Sequence, residues 1–111
     1  MKVPGAGQLR QRIDIRAVSE TPNGAYGVDQ DFGVPVRVWA WATPVVGAAY
    51  MAAQQIDKTV THQFVIRTST EQITARHVIE WRGRRFRVRR VSPMVNHDHF
   101  TVIEAEELGA I

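Results

Sequence analysis

The fold class is decided by residues 76–91, which read RHVIEWRGRRFRVRRV. Apolar and charged residues alternate on both sides of a central glycine, which is the period-two pattern of half-buried strands. Because a Gly-X pair suits a two-residue type II′ turn, we predict a β-hairpin that turns at Gly83-Arg84. This register sets three pairs of residues opposite each other: Trp81 and Phe86, Ile79 and Val88, and Glu80 and Arg87.

A second hairpin extends this meander through residues 92–98 to a strand at residues 99–106. One face of the meander is then apolar and the other is charged, which a wrong register would not produce. The apolar face holds Ile79, Trp81, Phe86, Val88, Ile103 and Ala105. On the charged face we predict structural ion pairs of Arg87 with Glu80 and Glu104, and of Arg85 with Glu106.

The rest of the chain also favours β structure. Residues 9–18 alternate as a half-buried strand does, and residues 59–68 alternate again. Residues 19–33 are dense in Gly, Pro, Asn and Asp, which predicts a long loop. Residues 34–46 are apolar on both sides, which indicates a strand covered on both faces or lying at an interface.

We therefore predict a mainly β fold, namely a small antiparallel β-barrel of about six strands. The stretch at residues 47–58 is rich in Ala, Met and Gln, which are strong helix formers. It is either one short helix or a long mobile loop between the second and third strands. The 111 residues suffice for a single domain, with flexible termini expected at residues 1–7 and 108–111.

Composition excludes several classes of protein. The chain has no cysteine, so it holds neither disulfides nor thiolate metal sites. No apolar run has the roughly 18 residues needed to cross a bilayer, and residues 1–7 lack the apolar core of a secretory signal. We expect no membrane partner.

Catalytic motifs are absent from the sequence. We find no nucleophile motif, no glycine-rich phosphate loop and no zinc-ligand spacing, so we expect neither an enzyme nor a cofactor. His97, Asp98 and His99 have metal-capable side chains, which His62 and His77 could join. The same triplet suits a polar hairpin loop, and we expect no metal.

Charge is distributed unevenly along the chain. The net charge is +3, but residues 81–92 hold six arginines and no acid, whereas residues 93–111 hold four acids and no base. Four of these arginines have no obvious partner in the predicted register: Arg82, Arg84, Arg89 and Arg90. They are candidates for contact with DNA phosphates or with acids of another subunit.

Trp39 and Trp41 are two residues apart and therefore lie on one face of their strand. If Val38 and Ala40 face the core, both tryptophans face outward. A pair of exposed tryptophans suggests a protein interface. In the alternative, the loop at residues 19–33 covers them.

Four spaced motifs resemble the phage head–tail joining (head completion, stopper-like adaptor) proteins. The opening residues 7–15, GQLRQRIDI, are similar to the family's G-x-L-R-x-R-I-x-I, and residues 38–47, VWAWATPVVG, resemble its W-A-x-V-x-P-x-x-G segment. Residues 61–67, THQFVIR, look like its T-H-x-V-x-I-R strand. Residues 73–88 follow its I-T-x-x-x-R-I…G-R-x-Y-x-I hairpin. Together the motifs cover nearly the whole chain in order.

The resemblance implies a small SH3-like β-barrel that assembles as a ring of six or twelve copies in the neck of a tailed bacteriophage. Such a ring closes the head, retains the packaged double-stranded DNA, and joins the portal or adaptor ring to the tail terminator or tail tube. The protein would be a virion component assembled in the cytoplasm of the host bacterium.

In relatives that act as stoppers, the segment between the second and third strands projects into the channel. Here that segment corresponds to residues 43–58. The resemblance makes the following residues candidates for gating the channel or for a subunit interface: Gly47, Tyr50, Met51, Gln54 and Gln55.

Two other functions stay open from the sequence. One is a tail-completion or tail-terminator protein of the same neck. The other is a free-standing nucleic-acid-binding β-barrel with the arginine hairpin as its platform. The second would need aromatic residues on the basic face for base stacking, whereas the predicted register turns Trp81 and Phe86 to the apolar face.

Overall fold

The computed structural model describes residues 7, 9–22, 24, 27–45, 60–68, 73–94 and 97–111, with the backbone alone at 94, 97 and 98. These residues form seven antiparallel strands and no helix, which confirms the mainly β prediction. The strands are β1 (Gln11–Pro22), β2 (Val28–Phe32), β3 (Val36–Pro44), β4 (His62–Arg67), β5 (His77–Trp81), β6 (Arg84–Met94) and β7 (His97–Ala110). No helix that could span a membrane occurs in these ranges.

Six of the strands close into a ring. Their order is β1-β3-β4-β7-β6-β5, and β5 pairs back onto β1, with Ile79 opposite Ile15. The seventh strand, β2, pairs with the far end of β1, where Val18 lies opposite Phe32. The ring-like sheet agrees with the prediction of about six antiparallel strands around one core.

The prediction of a long loop at residues 19–33 is wrong. β1 continues to Pro22 and pairs with β2, so residues 18–22 and 28–32 form a two-stranded ribbon beyond the ring. Most of its side chains are exposed on both faces, so the segment lacks the apolar alternation that marks a half-buried strand. We call it the acidic ribbon, because it carries Glu20, Asp29 and Asp31 and no basic residue.

The core is built from the inward-facing residues of the six ring strands. Phe64 and Phe86 are its largest fully buried side chains. The buried core residues are Ile13, Ile15, Ala40, Phe64, Ile66, Ile79, Phe86, Val88, Ile103 and Ala105, with Trp81 packed against them. The apolar face predicted for the meander is therefore confirmed in full.

The first hairpin turns one residue earlier than predicted. Its two-residue loop is Arg82-Gly83, with φ angles of 52° and 72°, the left-handed values of a type I′ turn. Glu80 therefore lies opposite Arg85 rather than Arg87. Partners differ by two positions from the prediction, and since side chains alternate with a period of two, the inward and outward faces are unchanged.

The register predicted for β6 and β7 is also wrong. Arg87 lies opposite Glu106 rather than Glu104, which is again a two-residue displacement. A β-bulge follows between Val88 and Arg90, and beyond it Arg90 lies opposite Glu104. Because a bulge adds one residue to one strand, no single register fits the whole hairpin.

Candidate functional site

The outer surface of β1, β3 and β4 carries an exposed tryptophan between arginines. Trp39 lies opposite Arg12, whose guanidinium carbon is 4.2 Å from the centre of a Trp39 ring. On β4, Arg67 follows Ile66, the partner of Ala40, so the continued register sets Arg67 beside Trp39. The Trp39 residue is 49% exposed, so its indole remains available for contact.

A shallow depression of about 470 Å³ adjoins this tryptophan, and Arg10 and Arg67 line it together with Gly7 and Leu9. Arg10 donates a hydrogen bond to the carbonyl oxygen of Gly7. Within the described residues, none of the arginines at 10, 12 and 67 forms an ion pair. We call Arg10, Arg12, Trp39 and Arg67 the tryptophan–arginine face.

Trp41 lies on the same outer side but is half-buried. It packs against Val65 and Val102, with Phe100 beside them. The spacing of the two tryptophans thus correctly predicts that both face outward. The alternative in which residues 19–33 cover them is wrong, because β4 and β7 cover Trp41 and leave Trp39 exposed. The interface role of the pair stays a prediction.

The sequence did not single out the arginines of this face. The sequence pattern that could have identified them is the alternation along residues 9–18, because it predicts that Arg10 and Arg12 face outward. Their meeting with Trp39 and Arg67 depends on pairing between strands far apart in sequence, and no local pattern reports such pairing.

Two hairpin arginines that were expected to lack partners do have them. Arg84 lies 2.6 Å from Glu107, and Arg89 lies 3.3 Å from Glu106. The expectation is wrong because β6 and β7 pair out of the predicted register, which moves these acids next to the two arginines. Both are therefore held in ion pairs within the subunit.

Three other hairpin arginines are exposed and make no ion pair in the described part of the chain: Arg82, Arg87 and Arg90. Arg82 stacks on Trp81, with its guanidinium carbon 4.7 Å from the ring centre. We call these three the unpaired hairpin arginines. Arg82 and Arg90 therefore remain candidates for contact with DNA or another subunit, and Arg87 becomes a further candidate.

Glu80 joins three strands of the ring. The Nε atom of Arg16 in β1 and the Nη2 atom of Arg85 in β6 each donate to its carboxylate at 2.8 Å. Burial raises the pKa of the Glu80 carboxyl, but the hydrogen bonds and positive charges of the two arginines outweigh it, so the net pKa lies below its ordinary value. Glu80 is therefore held ionised at the junction of β1, β5 and β6.

The arginines and acids of the charged face do not form the ion pairs that the sequence predicts. Arg85 pairs with Glu80 rather than with Glu106, whereas Arg87 and Glu104 form no ion pair among the described residues. The two-residue displacement of both hairpins accounts for this difference, since it moves each charge past its expected partner on the same face.

A cleft of about 810 Å³ separates the acidic ribbon from the outer surface of β5, β6 and β7. Phe32 of the ribbon and Leu108 of β7 contribute apolar lining, and Arg87 contributes a positive charge. At the base of the ribbon the guanidinium carbon of Arg85 lies 4.0 Å from the centre of the Phe32 ring. This contact ties the ribbon to β6.

An aromatic cluster fills the end of the ring where β3 ends and β4 begins. The imidazole of His62 lies 4.8 Å from the ring centre of Phe86 and 6.2 Å from that of Phe64. Burial lowers the pKa of His62 below its ordinary value; Glu107 opposes this shift and Arg84 adds to it. The imidazole therefore favours its neutral form and packs with the aromatic rings of this cluster.

Several sequence predictions fall outside the described residues. All five gating candidates do so: Gly47, Tyr50, Met51, Gln54 and Gln55. The side chains of His97 and Asp98 do as well. Among the side chains that the structure describes, no group of three His, Asp or Glu residues is arranged to hold a metal ion.

Comparison with known proteins gives a family and a fold. A family model described as phage head completion protein matches residues 4–108. A chain of the solved virion of a native gene transfer agent particle is 20% identical, with a TM-score of 0.65 over 91% of this chain and 96% of that one. Protein SF1141 from Shigella flexneri 2a is 18% identical, with a TM-score of 0.71 over 95% of this chain and 97% of its own. No curated protein matches the sequence significantly. At these identities the two solved structures establish a shared fold.

Proposed function

Because the chain belongs to the phage head completion protein family, we propose that it is a structural protein of the neck of a tailed bacteriophage. It forms a ring of six or twelve copies between the portal or adaptor ring and the tail. The ring closes the filled head, retains the packaged DNA, and offers the surface on which the tail terminator or tail tube docks. It is not an enzyme and needs no cofactor.

The observation that carries this proposal is the family match over residues 4–108, which agrees with the four motifs found along the sequence. The likeness of its fold to a chain of a gene transfer agent virion also supports a place in a particle. A ring with head-to-tail contacts needs two different surfaces on each subunit. The tryptophan–arginine face is basic and the acidic ribbon carries no basic residue, so the subunit has two such different surfaces.

Contact with DNA is assigned to the unpaired hairpin arginines. Arg82, Arg87 and Arg90 form no ion pair among the described residues, although Glu106 and Glu104 lie opposite Arg87 and Arg90 on β7. Arginine suits phosphate contact. At +3 per copy, a ring of twelve would bear a charge of about +36, enough to create a positive potential around a channel. The contact would be electrostatic and independent of base sequence.

The free-standing nucleic-acid-binding barrel is the weaker alternative. Such proteins stack bases on aromatic side chains of the binding surface. Phe86 lies in the core and Trp81 packs against it, so the inner face of the hairpin is committed to packing. The other alternative is a tail terminator of the same neck. Loss of a tail terminator and loss of a head completion protein give different phenotypes, and the following experiment distinguishes them.

The test is removal of the chain's gene from the phage or prophage that encodes it. We expect heads that package DNA but lose it, with detached tails of normal length, in electron micrographs and DNA-retention assays. Wild-type protein supplied from a plasmid is the control and restores infectious particles. Heads that keep their DNA beside tails of abnormal length would indicate a tail terminator instead. Normal tailed particles in the absence of the chain would refute the neck role.

A further inference from the structure

The two ends of strand β1 carry opposite charge. Near its beginning lies the tryptophan–arginine face, with Arg10, Arg12 and Arg67 and no described acid paired to them. At its far end lies the acidic ribbon, where the Glu20 carboxylate accepts a hydrogen bond from Gln30 at 3.5 Å. The ribbon contains no basic residue of its own.

These two surfaces cannot reach each other within one subunit. Asp31 lies opposite Ser19, and Ser19 is seven residues along β1 from Arg12, which corresponds to about 23 Å of extended strand. Coulombic attraction between exposed charges at that distance is screened at physiological ionic strength. The two surfaces therefore do not neutralise each other within one subunit, although Arg85 and Arg87 of the same subunit line the cleft beside Glu20.

We propose that the acidic ribbon of one copy docks on the tryptophan–arginine face of the next copy, so that this contact joins neighbouring subunits of the ring. The inference rests on the proposed function, because it assigns the subunit contact of that ring. Glu20 and Asp31 lie on opposite faces of the ribbon, so the ribbon approaches edge-on and both carboxylates reach the arginines. Val28 near the ribbon tip, which is 55% exposed, supplies an apolar contact for the exposed Trp39.

The shape of the subunit supports a second copy as the occupant. The ribbon pairs over five residues of β1, or about 16 Å of strand, and the molecule is elongated to 48 × 31 × 24 Å. Different surfaces at the two ends make the contact heterologous, and heterologous contacts generate rings when the rotation closes. Aromatic and arginine residues are also the types enriched at interface centres.

Disulfide trapping tests the contact directly, because the chain has no cysteine of its own. The variant Thr21→Cys/Leu9→Cys places one thiol on the ribbon and one beside Trp39, and it leaves every charge in place. These positions are twelve residues apart on an extended segment, about 40 Å, so a bond within one subunit is excluded. Under mild oxidation we expect a ladder of covalent oligomers larger than dimers, from the free protein or from assembled particles.

Matched controls separate this contact from random collision. Thr21→Cys alone should stop at dimers, and Thr21→Cys/Arg90→Cys, with its second thiol on the hairpin, should give no ladder. In the Thr21→Cys/Leu9→Cys background, either Arg12→Glu/Arg67→Glu or Glu20→Lys/Asp31→Lys should reduce the oligomers above dimer roughly tenfold. An equimolar mixture of the two charge-reversed proteins should restore the ladder, since each supplies the charge that the other has lost. Unchanged thermal unfolding shows that both remain folded.

Three results would overturn the proposal. One is the absence of a ladder in both the free protein and the particles. Another is a ladder that neither charge reversal weakens. The third is a loss of DNA affinity on Arg12→Glu/Arg67→Glu while the ladder persists, which would assign the face to DNA. If removal of the gene empties the heads and yet no ladder forms, the neck role stands and this docking fails; if removal has no effect on particles, the neck role itself fails.

Discussion

Among single residues on the outer surface, Glu80 links three strands of the ring through its ion pairs. Its side chain is 12% exposed and receives one charged hydrogen bond from β1 and one from β6. The donors Arg16 and Arg85 are themselves only 28% and 25% exposed. Removing the shared acceptor would leave two partly desolvated cations, which is the costly way to break an ion pair.

Replacement of Glu80 by glutamine should lower the free energy of unfolding by about 1–2 kcal/mol at neutral pH, because charged hydrogen bonds to both arginines weaken. The pKa of Glu80 is lower in the folded state than its ordinary value of 4.5. The stabilisation is therefore complete above pH 4.5 and is lost as the pH falls through the folded-state pKa. Urea unfolding of wild type and Glu80→Gln at several pH values measures this difference.

The control for this substitution is Glu20→Gln on the acidic ribbon, an exposed site whose carboxylate accepts a long hydrogen bond of 3.5 Å from Gln30. It should change stability little. A difference between wild type and Glu80→Gln that stays constant into acid would show that the carboxylate charge is not its source.

At the scale of elements, the β5–β6 hairpin depends on an unusual backbone at its turn. A type I′ turn requires positive φ at both central residues, and its twist matches that of the flanking strands. Glycine adopts this conformation without steric cost, whereas Arg82 occupies it against its preference. The turn also brings Arg84 to Glu107, so its geometry decides which hairpin arginines are paired.

Replacement of Gly83 by alanine should destabilise the protein by about 1–2 kcal/mol, because an L side chain at a φ of 72° is strained. Gly24 in the ribbon turn is a matched control. An added Cβ meets nothing within 4 Å at either glycine, and a positive φ occurs at Gly83 but not at Gly24. Gly24→Ala should therefore be almost neutral in thermal unfolding, and equal losses for the two substitutions would contradict the turn assignment.

At the scale of the whole molecule, closure of the sheet hides the apolar residues and leaves a polar, charged exterior. Trp39 is an exception, as are Val28, Val34, Val36, Leu108 and Ile111. Exposed charge contacts contribute about 0–1 kcal/mol each, so contacts between free subunits should be weak. A partner ring that holds many copies side by side raises their effective concentration and so stabilises the assembly.

The isolated protein should therefore sediment as a monomer or a weak, salt-sensitive oligomer at micromolar concentration. It should form a stable ring once its partner ring is present. Sedimentation velocity at low and high salt, with and without that partner, measures this. A tight, salt-resistant ring of the free chain would contradict the expectation.

The sequence by itself determined which residues face inward. Alternation with a period of two is a local property of each strand, so Ile13, Phe86 and Val88 were assignable to the core without knowledge of their partners. The same local signal turned Trp39 and Trp41 outward, and spaced motifs were enough to indicate the family.

Tertiary structure alone decided which outward residues meet. The turn at Arg82-Gly83 and the bulge after Val88 set the partners of each hairpin arginine. Alternation with a period of two does not distinguish two registers that differ by two residues, because both leave the same residues on each face. The ribbon escaped detection because both of its faces are exposed. Arg12, Trp39 and Arg67 come together through pairing of β1, β3 and β4, which joins residues more than twenty positions apart. Such pairing depends on the closed sheet as a whole, because all six ring strands contribute side chains to one shared core.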